Sequence, residues 1–352
     1  MSAAVTASGI RSEVSRETGS EQPLWEYVRA SGLRSLVVCA SKNPNAKIIV
    51  LLVSPDTGRP VLAVKAPRTD EAATSIETEA RLLGELPDLG PRLGKTIPSV
   101  VDMVEFHGRR AMVTTALDGL PMKTAYLRWR HTARREKVAA DFVAVDAWVS
   151  ELQQRAAGEI RPLDMDGGVA GRLAARFSAD DAVREDLERL SRMYAALREH
   201  RVPSTPVHGD LWLGNVFLSG GAVTGVVDWE SGARSGEPVR DLVRFALMYA
   251  LFLDRRTRPG RRVPGHPAVR AGDWGAGVSY AIDGSGWFPE LFRSFLRRGL
   301  ERLGATPESW RDAALAGVAE IAAFADHEEF ARLHLELFRR LAYDRPEPIS
   351  RP

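Results

Sequence analysis

The stretch "VHGDLWLGNVFLSGGAVTGVVDWE" at residues 207–230 places three oxygen-bearing side chains beside two short apolar segments. Asp210 follows a glycine turn, and Asn215 comes five residues later, where an extended apolar segment begins. Asp228 ends a second strand-like segment, thirteen residues after Asn215. Because the glycine pair in between is typical of a hairpin turn, we expect Asp228 to lie near Asn215, with Asp210 facing the same cavity.

This spacing suits magnesium chemistry. Mg²⁺ prefers hard oxygen ligands and usually takes only one or two carboxylates, together with phosphate oxygens and water. Asn215 and Asp228 could hold such an ion, which would leave Asp210 to orient an attacking hydroxyl and accept its proton. The stretch therefore indicates a phosphoryl-transfer site.

The stretch resembles the aminoglycoside phosphotransferase and choline kinase family, which has the protein-kinase-like fold. The resemblance rests on "HGDLWLGN" at 208–215 and "VVDWE" at 226–230. It implies an α+β, bilobal fold, with a small antiparallel-sheet N-lobe carrying one helix and a larger, mainly helical C-lobe. It also implies that Asp210 is the catalytic aspartate and that Asn215 and Asp228 bind Mg²⁺.

Two neighbouring residues, His208 and Asp241, are assigned by the same resemblance, and Glu230 is left open. His208 is expected to brace the catalytic loop. Asp241, in "SGEPVRDLVRF" at 235–245, is expected to begin a helix and anchor the active-site loops. Glu230 is either a substrate contact or a solvated acid.

A kinase-like site also needs a cation on a strand and an acid on the next helix to orient it. "VLAVKAP" at 61–67 supplies Lys65, and "ETEARLLGEL" at 77–86 supplies the helix. Glu79 fits the family pattern best, with Glu77 as the second candidate. We expect Lys65 to bind nucleotide phosphates.

The segment "AMVTTALDGLPM" at 111–122 resembles the connector between the lobes of such enzymes. By position, backbone groups of Thr115 and Leu117 would bind the adenine edge, and Asp118 and Gly119 would turn into the second lobe. A buried strand followed by a turn is the alternative interpretation of the segment.

The order of elements agrees with this organisation. Residues 1–20 are expected to form a flexible tail, 21–117 a nucleotide-binding N-lobe, and 118–352 a C-lobe with the catalytic loop and the acceptor site. The N-lobe pattern is three strands, one helix and two strands. Strands are predicted at 33–41, 46–55, 59–67, 99–108 and 110–117, and helices at 69–90, 132–156, 179–200, 238–253, 288–304 and 308–342.

Charge and composition narrow the partners. The chain of 352 residues has 48 basic and 46 acidic side chains, a balance that argues against nucleic acid as a partner. The basic run at 254–263 is interpreted as a solvated loop. The apolar stretch at 245–253 is too short to cross a membrane, and the lone Cys39, expected in the core, fits a cytoplasmic protein.

Some features depart from protein kinases. The first turn, "ASKNPNAK" at 40–47, has no glycine, so the choice between ATP and GTP stays open. No "DFG" or "APE" motif is present, which favours a small-molecule acceptor over a protein. The Gly, Pro and Trp-rich stretch at 262–290 either shapes the acceptor pocket or connects helices.

The sequence thus predicts an ATP-dependent phosphotransferase that moves the γ-phosphoryl group to a hydroxyl of a small molecule. The acceptor would be a sugar, an amino alcohol or a natural product. An aminoglycoside is one candidate, although the C-lobe shows no acidic excess to attract a polycation. The alternatives are a catalytically silent, kinase-like nucleotide-binding regulator and, more remotely, a metal-dependent hydrolase. The oligomeric state is left open.

Overall fold

The computed structural model describes residues 22–39, 47–177 and 181–343, apart from the side chain of Cys39. The expected tail and first turn and the core placement of Cys39 therefore lie outside the description. The chain divides into two compact units. Unit 1 contains the described residues up to Leu120, together with 217–219 and 223–234, and unit 2 contains the others.

Unit 1 is built on an antiparallel sheet of five strands, the number that the sequence predicts. The order of the strands in the sheet is β1-β2-β3-β5-β4. A helix, α1, precedes the sheet, and α2 follows its third strand. The bounds are Leu24–Ala30 (α1), Arg34–Cys39 (β1), Ile48–Val53 (β2), Pro60–Ala66 (β3), Asp70–Glu85 (α2), Gly90–Leu93 (α3), Val100–Phe106 (β4) and Arg109–Thr115 (β5).

The helix α2 has a clear start and one buried face. Thr69 caps it, because its Oγ1 accepts a hydrogen bond of 3.1 Å from the N–H of Ala72. Ala72, Ile76 and Leu82 are buried at helical spacing, and the helix packs on β5 through this face. The same face carries one buried acid, Glu79.

Unit 2 is mainly helical, which confirms the α+β class. Its core includes an aromatic cluster around Phe142. The centroid of the Phe142 ring is 4.9 to 5.3 Å from the ring centroids of Phe245, Tyr249 and Phe295. The bounds from Leu120 onward are Leu120–Pro121 (β6), Met122–Tyr126 (α4), Arg135–Arg155 (α5), Ile160–Pro162 (β7), Val169–Phe177 (α6), Asp181–Arg198 (α7), Arg201–Pro203 (β8), Thr205–Val207 (β9), Val216–Ser219 (β10), Ala222–Val226 (β11), Ala233–Gly236 (β12), Val239–Leu251 (α8), Arg262–Val263 (β13), His266–Arg270 (β14), Ala276–Asp283 (α9), Trp287–Arg302 (α10), Trp310–Phe324 (α11) and Glu328–Ala342 (α12).

The stretch predicted to be helical at 308–342 forms two helices, α11 and α12. Ala325 and His327 both have extended backbone angles, which end one helix and precede the next. Glu328 and Glu329 occupy the first turn of α12, where acids favour a helix start. The break lets the two helices pack against each other.

The glycine-rich stretch at 262–290 also has regular structure. Its first part is the hairpin of β13 and β14, and its centre is α9.

No helix in the described ranges is both long and apolar enough to cross a membrane.

Candidate active site

Lys65, Glu79 and Asp228 form one ion-paired cluster in unit 1. Lys65 lies on β3. Its Nζ is 2.7 and 2.6 Å from the two carboxylate oxygens of Glu79 and 2.8 Å from Asp228 Oδ1. Three residues that were selected from the sequence for their chemistry are therefore brought together from a strand, a helix and the end of a distant hairpin.

Glu79 is held by two donors. Its side chain is 1% exposed, and burying a carboxylate costs several kcal/mol unless it is paired and hydrogen-bonded. The ammonium group of Lys65 pairs with both oxygens, and the N–H of Trp229 donates to Oε1 over 3.1 Å. The second candidate, Glu77, is exposed, so Glu79 is the acid that contacts Lys65.

The charge of Lys65 is stabilised by these acids. Burial acts to lower the pKa of the Lys65 ammonium group, but Asp228 and Glu79 outweigh burial and raise the pKa above its ordinary value. Lys65 is therefore a fixed positive charge throughout the neutral range. Its side chain is 14% exposed, so the charge also has access to solvent.

Asp228 has an unusual backbone. Its φ of 74° and ψ of 58° are left-handed, a conformation that residues other than glycine rarely adopt. A short 3₁₀ turn follows at Trp229–Ser231, and the buried indole of Trp229 donates to the carbonyl of Val226 over 2.9 Å. This packing holds the strained turn in place, and it directs a carboxylate that is 38% exposed toward Lys65.

Glu230, whose role the sequence left open, has partners in unit 1. Its carboxylate forms an ion pair with Lys47 and accepts a hydrogen bond from the hydroxyl of Ser75. Lys47 Nζ also lies 3.2 Å from Ser75 Oγ. Glu230 therefore joins α2 to the residue that precedes β2, and neither interpretation from the sequence described this contact.

In unit 2, Asp241 organises the loop around Asp210. Its two carboxylate oxygens accept hydrogen bonds from the N–H groups of His208 and Gly209, at 2.7 and 2.9 Å. The buried position of Asp241 raises the pKa of its carboxyl group, although His208 and these two hydrogen bonds act in the opposite direction. The expected anchoring role of Asp241 is confirmed. A helix-capping role is not, because its side chain binds the loop instead.

Asn215 contacts Asp210 within the same unit. Its Nδ2 donates to the carbonyl of Asp210 over 3.0 Å and lies 3.4 Å from Oδ2 of the same residue. His208 is fully buried, and its Nδ1 accepts the N–H of Asp210 over 3.3 Å. The buried imidazole agrees with the bracing role that was expected for it.

Arg244 was missed by the sequence reasoning. Its Nε and Nη2 lie 2.9 and 2.6 Å from Oδ1 of Asp210. Arg244 stands three residues after Asp241 on α8, so both side chains project from one face of the helix and hold the loop at 208–210. The signal that could have revealed it is this i, i+3 pair of opposite charges at the start of a helix that has no further charged residue after Arg244.

Thr115 and Leu117, expected to bind adenine, lie at the end of β5 and just beyond it. The N–H of Thr115 donates to the carbonyl of Ser99 over 3.0 Å, and its Oγ1 accepts the N–H of Ser99 at 3.0 Å. The carbonyl is therefore the backbone group of Thr115 that is left for a ligand. Within the described part of the chain, no hydrogen bond involves the backbone of Leu117.

Mg²⁺ prefers oxygen ligands, and both Asp228 and Asn215 carry a side-chain oxygen. No group of three His, Cys, Asp or Glu side chains in the described ranges could hold a metal ion. A magnesium site that shares its coordination with a nucleotide needs fewer protein ligands, namely one or two oxygen donors. Asp228 offers a partly exposed carboxylate, and Asn215, whose Nδ2 points to Asp210, has an amide oxygen left for a cation.

Comparison with known proteins identifies the family. A family model described as "Phosphotransferase enzyme family" (APH) matches residues 50–272, which is more than half of the chain. The matched range contains every site residue discussed above except Lys47. No curated protein sequence matches the chain.

Solved structures share the fold. APH(2″)-IIa, in a ternary complex with streptomycin and ATP, is 15% identical, with a TM-score of 0.51 over 90% of this chain and 95% of that one. The macrolide 2′-phosphotransferase MphH from Brachybacterium faecium is 16% identical, with a TM-score of 0.51 over 92% and 98%. A type I macrolide 2′-phosphotransferase is 16% identical, with a TM-score of 0.51 over 90% of this chain and 95% of that one. These likenesses show the fold, and together with the family match they lead to one conclusion: the chain belongs to the APH phosphotransferase enzyme family.

Proposed function

We propose that the protein transfers the γ-phosphoryl group of ATP, in the presence of Mg²⁺, to a hydroxyl group of a small molecule. The observation that carries the proposal is the position of Lys65, whose ammonium group is held by Glu79 and Asp228 in unit 1. A lysine that is fixed by an acid from the following helix can engage nucleotide phosphates as a rigid point charge. GTP is an alternative donor.

Nucleotide binding is assigned to the predicted N-lobe, residues 21–117. Lys65 would contact the α- and β-phosphates, with Glu79 orienting it. The carbonyl of Thr115 and the backbone of Leu117 would bind the adenine edge. The hydrogen bonds that Thr115 already makes to Ser99 support this choice of atoms, since they hold the end of β5 in a defined position.

The catalytic step is assigned to Asp210, in the predicted C-lobe of residues 118–352. Arg244 holds Oδ1, so Oδ2 is the oxygen that would accept the proton of the acceptor hydroxyl. Asn215 and Asp228 would hold Mg²⁺, which neutralises charge on the phosphates when it is bound. In a loose transition state, most of the acceleration comes from such positioning and charge compensation.

Membership of the family does not by itself identify the acceptor. Structural relatives include a complex with streptomycin, but at 15% identity they do not carry a substrate over to this chain. The near balance of acids and bases in the chain favours a sugar, an amino alcohol or a natural product over a polycation. The alternative, a catalytically silent nucleotide-binding regulator, is disfavoured because every position of the family's catalytic pattern carries the expected residue. These residues are Lys65, Glu79, Asp210, Asn215 and Asp228.

The proposal is tested by transfer itself. The protein is incubated with γ-labelled ATP and Mg²⁺ against a panel of sugars, amino alcohols, macrolides and aminoglycosides and against fractionated cell extract, with the Asp210→Asn variant as control. A product one phosphoryl group heavier, formed by the wild type only, supports the proposal. The absence of ADP release with every acceptor tested would favour the regulator, and phosphate released from a phosphoester without ATP would favour a hydrolase.

A further inference from the structure

Two segments that are remote in sequence line a pocket in unit 2. One is the chain after α4, residues 128–132, and the other follows α8, residues 252–257. The pocket is small and open to solvent, so it can hold a single group of a ligand and not a whole molecule. The second segment belongs to the basic run that the sequence presented as a solvated loop.

The lining is strongly cationic. Four guanidinium groups come from Arg128 and Arg130 on one side and Arg255 and Arg256 on the other, and no acidic residue lines the pocket. None of the four forms a salt bridge with any described residue, whereas Arg244 is paired with Asp210. Four like charges around one concave surface create a positive potential that attracts anions.

The second segment also contains one buried acid, Asp254, which is not among the residues that line the pocket. Its Oδ2 accepts a hydrogen bond from the N–H of Gly272 over 3.2 Å. Arg256 is fixed by a hydrogen bond of 2.9 Å from Nε to the carbonyl of Leu127, and Arg255 lies over the ring of Phe252 at 5.4 Å. Two of the four cations are therefore oriented by the fold.

The pocket also offers an aromatic surface in a strained setting. Trp129 lines it and is 79% exposed, which is unusual for so large an apolar side chain. The next residue, Arg130, has a left-handed φ of 57°. Backbone strain of the kind seen at Arg130 clusters at active sites and ligand sites.

The pocket is connected to the catalytic loop within unit 2. The rings of Phe252 and Trp212 are 6.0 Å apart, and Trp212 is two residues from Asp210. Lys123, on α4, lies 5.2 Å from the Trp212 ring, and its N–H donates to Leu213 over 2.8 Å. Phe252 comes eight positions after Arg244, at the end of α8, so the two Cα atoms are about 12 Å apart along the helix axis.

We propose that this pocket binds a negatively charged group of the acceptor, a carboxylate or a phosphate or sulfate ester, at a position separate from the hydroxyl that receives the phosphoryl group. The four arginines supply charge and hydrogen bonds, and Trp129 covers an apolar or ring portion next to the anion. This inference rests on the proposed function and sharpens it. The acceptor is an anionic molecule, and polycations are excluded by repulsion.

The test measures binding first, because binding does not depend on turnover. Phenyl phosphate is titrated into the full chain by calorimetry at low and high salt, with phenol as the neutral probe. The wild type should bind phenyl phosphate saturably, more weakly at high salt, and should not bind phenol. Arg130→Gln/Arg255→Gln should weaken binding at least tenfold, while the exposed Arg184→Gln on α7 should not change it. Equal affinity of the double variant and the wild type would overturn the inference.

Transfer then separates this inference from the proposed function. Acceptors identified by the labelled-ATP assay should carry an anionic group, and the double variant should raise their KM at least tenfold with little change in kcat. A neutral or cationic acceptor whose KM is unaffected by the double variant would refute the inference and leave the phosphotransferase intact. Saturable phenyl phosphate binding without any transfer would support the pocket and count against the proposed function.

Discussion

Arg244 donates two hydrogen bonds to a single carboxylate oxygen of Asp210, from Nε at 2.9 Å and from Nη2 at 2.6 Å. Asn215 Nδ2 lies on the other side, 3.4 Å from Oδ2. The carboxylate is therefore held from two directions before any substrate arrives. Since Arg244 acts through Asp210, it is a positioning residue.

The Arg244 contact predicts a defect in turnover that is larger than its effect on folding. Arg244 and Asp210 are 26% and 30% exposed, so their pairing should contribute about 1 kcal/mol or less to stability. Arg244→Gln should lower kcat at least about tenfold, with KM for ATP little changed. Arg244→Lys should have a higher kcat than Arg244→Gln but a lower one than the wild type, since lysine keeps the charge but lacks the two adjacent N–H donors of the guanidinium group. Arg155→Gln, on the exposed face of α5, is the matched control, and equal kcat in all four proteins would remove Arg244 from the site.

Replacing Lys65 should damage stability and nucleotide use together. Lys65→Met leaves the buried Glu79 without its cation, which typically costs about 3 to 5 kcal/mol. Lys65→Met/Glu79→Gln removes that buried charge and keeps an acceptor for the N–H of Trp229. Urea unfolding should show recovery in the double variant, while its transfer rate and ATP affinity stay low. A double variant with normal ATP use would move the phosphate contact elsewhere.

The carboxylate of Asp241 should be irreplaceable even by its amide. Asp241→Asn substitutes an NH₂ group for one of the two oxygens that accept the N–H groups of His208 and Gly209. One buried N–H then lacks an acceptor, a loss of about 2 kcal/mol. Chemical denaturation should show this loss together with reduced transfer. The exposed Asp283→Asn should show neither, and an unchanged midpoint for Asp241→Asn would contradict the anchoring role.

Acid should destabilise the protein partly through His334. Burial lowers the pKa of His334 from 6.5 to about 3, assisted by Arg244 and opposed by its hydrogen bond to the carbonyl of Phe330. Below pH 6.5 the unfolded chain therefore binds a proton that the folded chain does not. The free energy of unfolding should fall by up to about 1.4 kcal/mol per pH unit as the pH decreases from 6.5 toward 3.

His334→Gln should reduce that slope. His266, whose pKa is also lowered by burial, would account for part of the remainder. Unfolding by urea at pH 7, 6 and 5 measures the slope, and the exposed His327→Gln serves as the control. An identical slope in wild type and His334→Gln would show that His334 does not titrate between the folded and unfolded states in this way.

The features that sequence could predict are those encoded within one element. β-Branched runs between turn residues identified β3, and leucines at helical spacing identified α2. Glu79 was selected because it matches the family pattern of an acid followed by paired apolar residues. Asp210 and Asn215 are five residues apart, so a single loop brings them into contact. Such local patterns need no knowledge of distant packing.

The features that escaped prediction depend on tertiary contacts. In the sequence, Arg244 is one of several basic residues on predicted helices. Its contact with Asp210 exists only because α8 packs beside the loop at 208–210. The four arginines of the pocket belong to two segments more than a hundred residues apart, and each segment alone resembles a solvated loop. The break between α11 and α12 arises at Ala325 and His327, where no proline or glycine marks it.

The central claim, that Asp210 is the catalytic aspartate of a phosphotransferase, is tested most directly by comparing Mg-ATP binding with phosphoryl transfer in Asp210→Asn. We expect the Kd for Mg-ATP to stay within about threefold of the wild-type value while kcat for an acceptor found in the labelled-ATP assay falls by roughly three powers of ten or more. A folded Asp210→Asn variant that transfers phosphate at a rate close to that of the wild type would contradict the account.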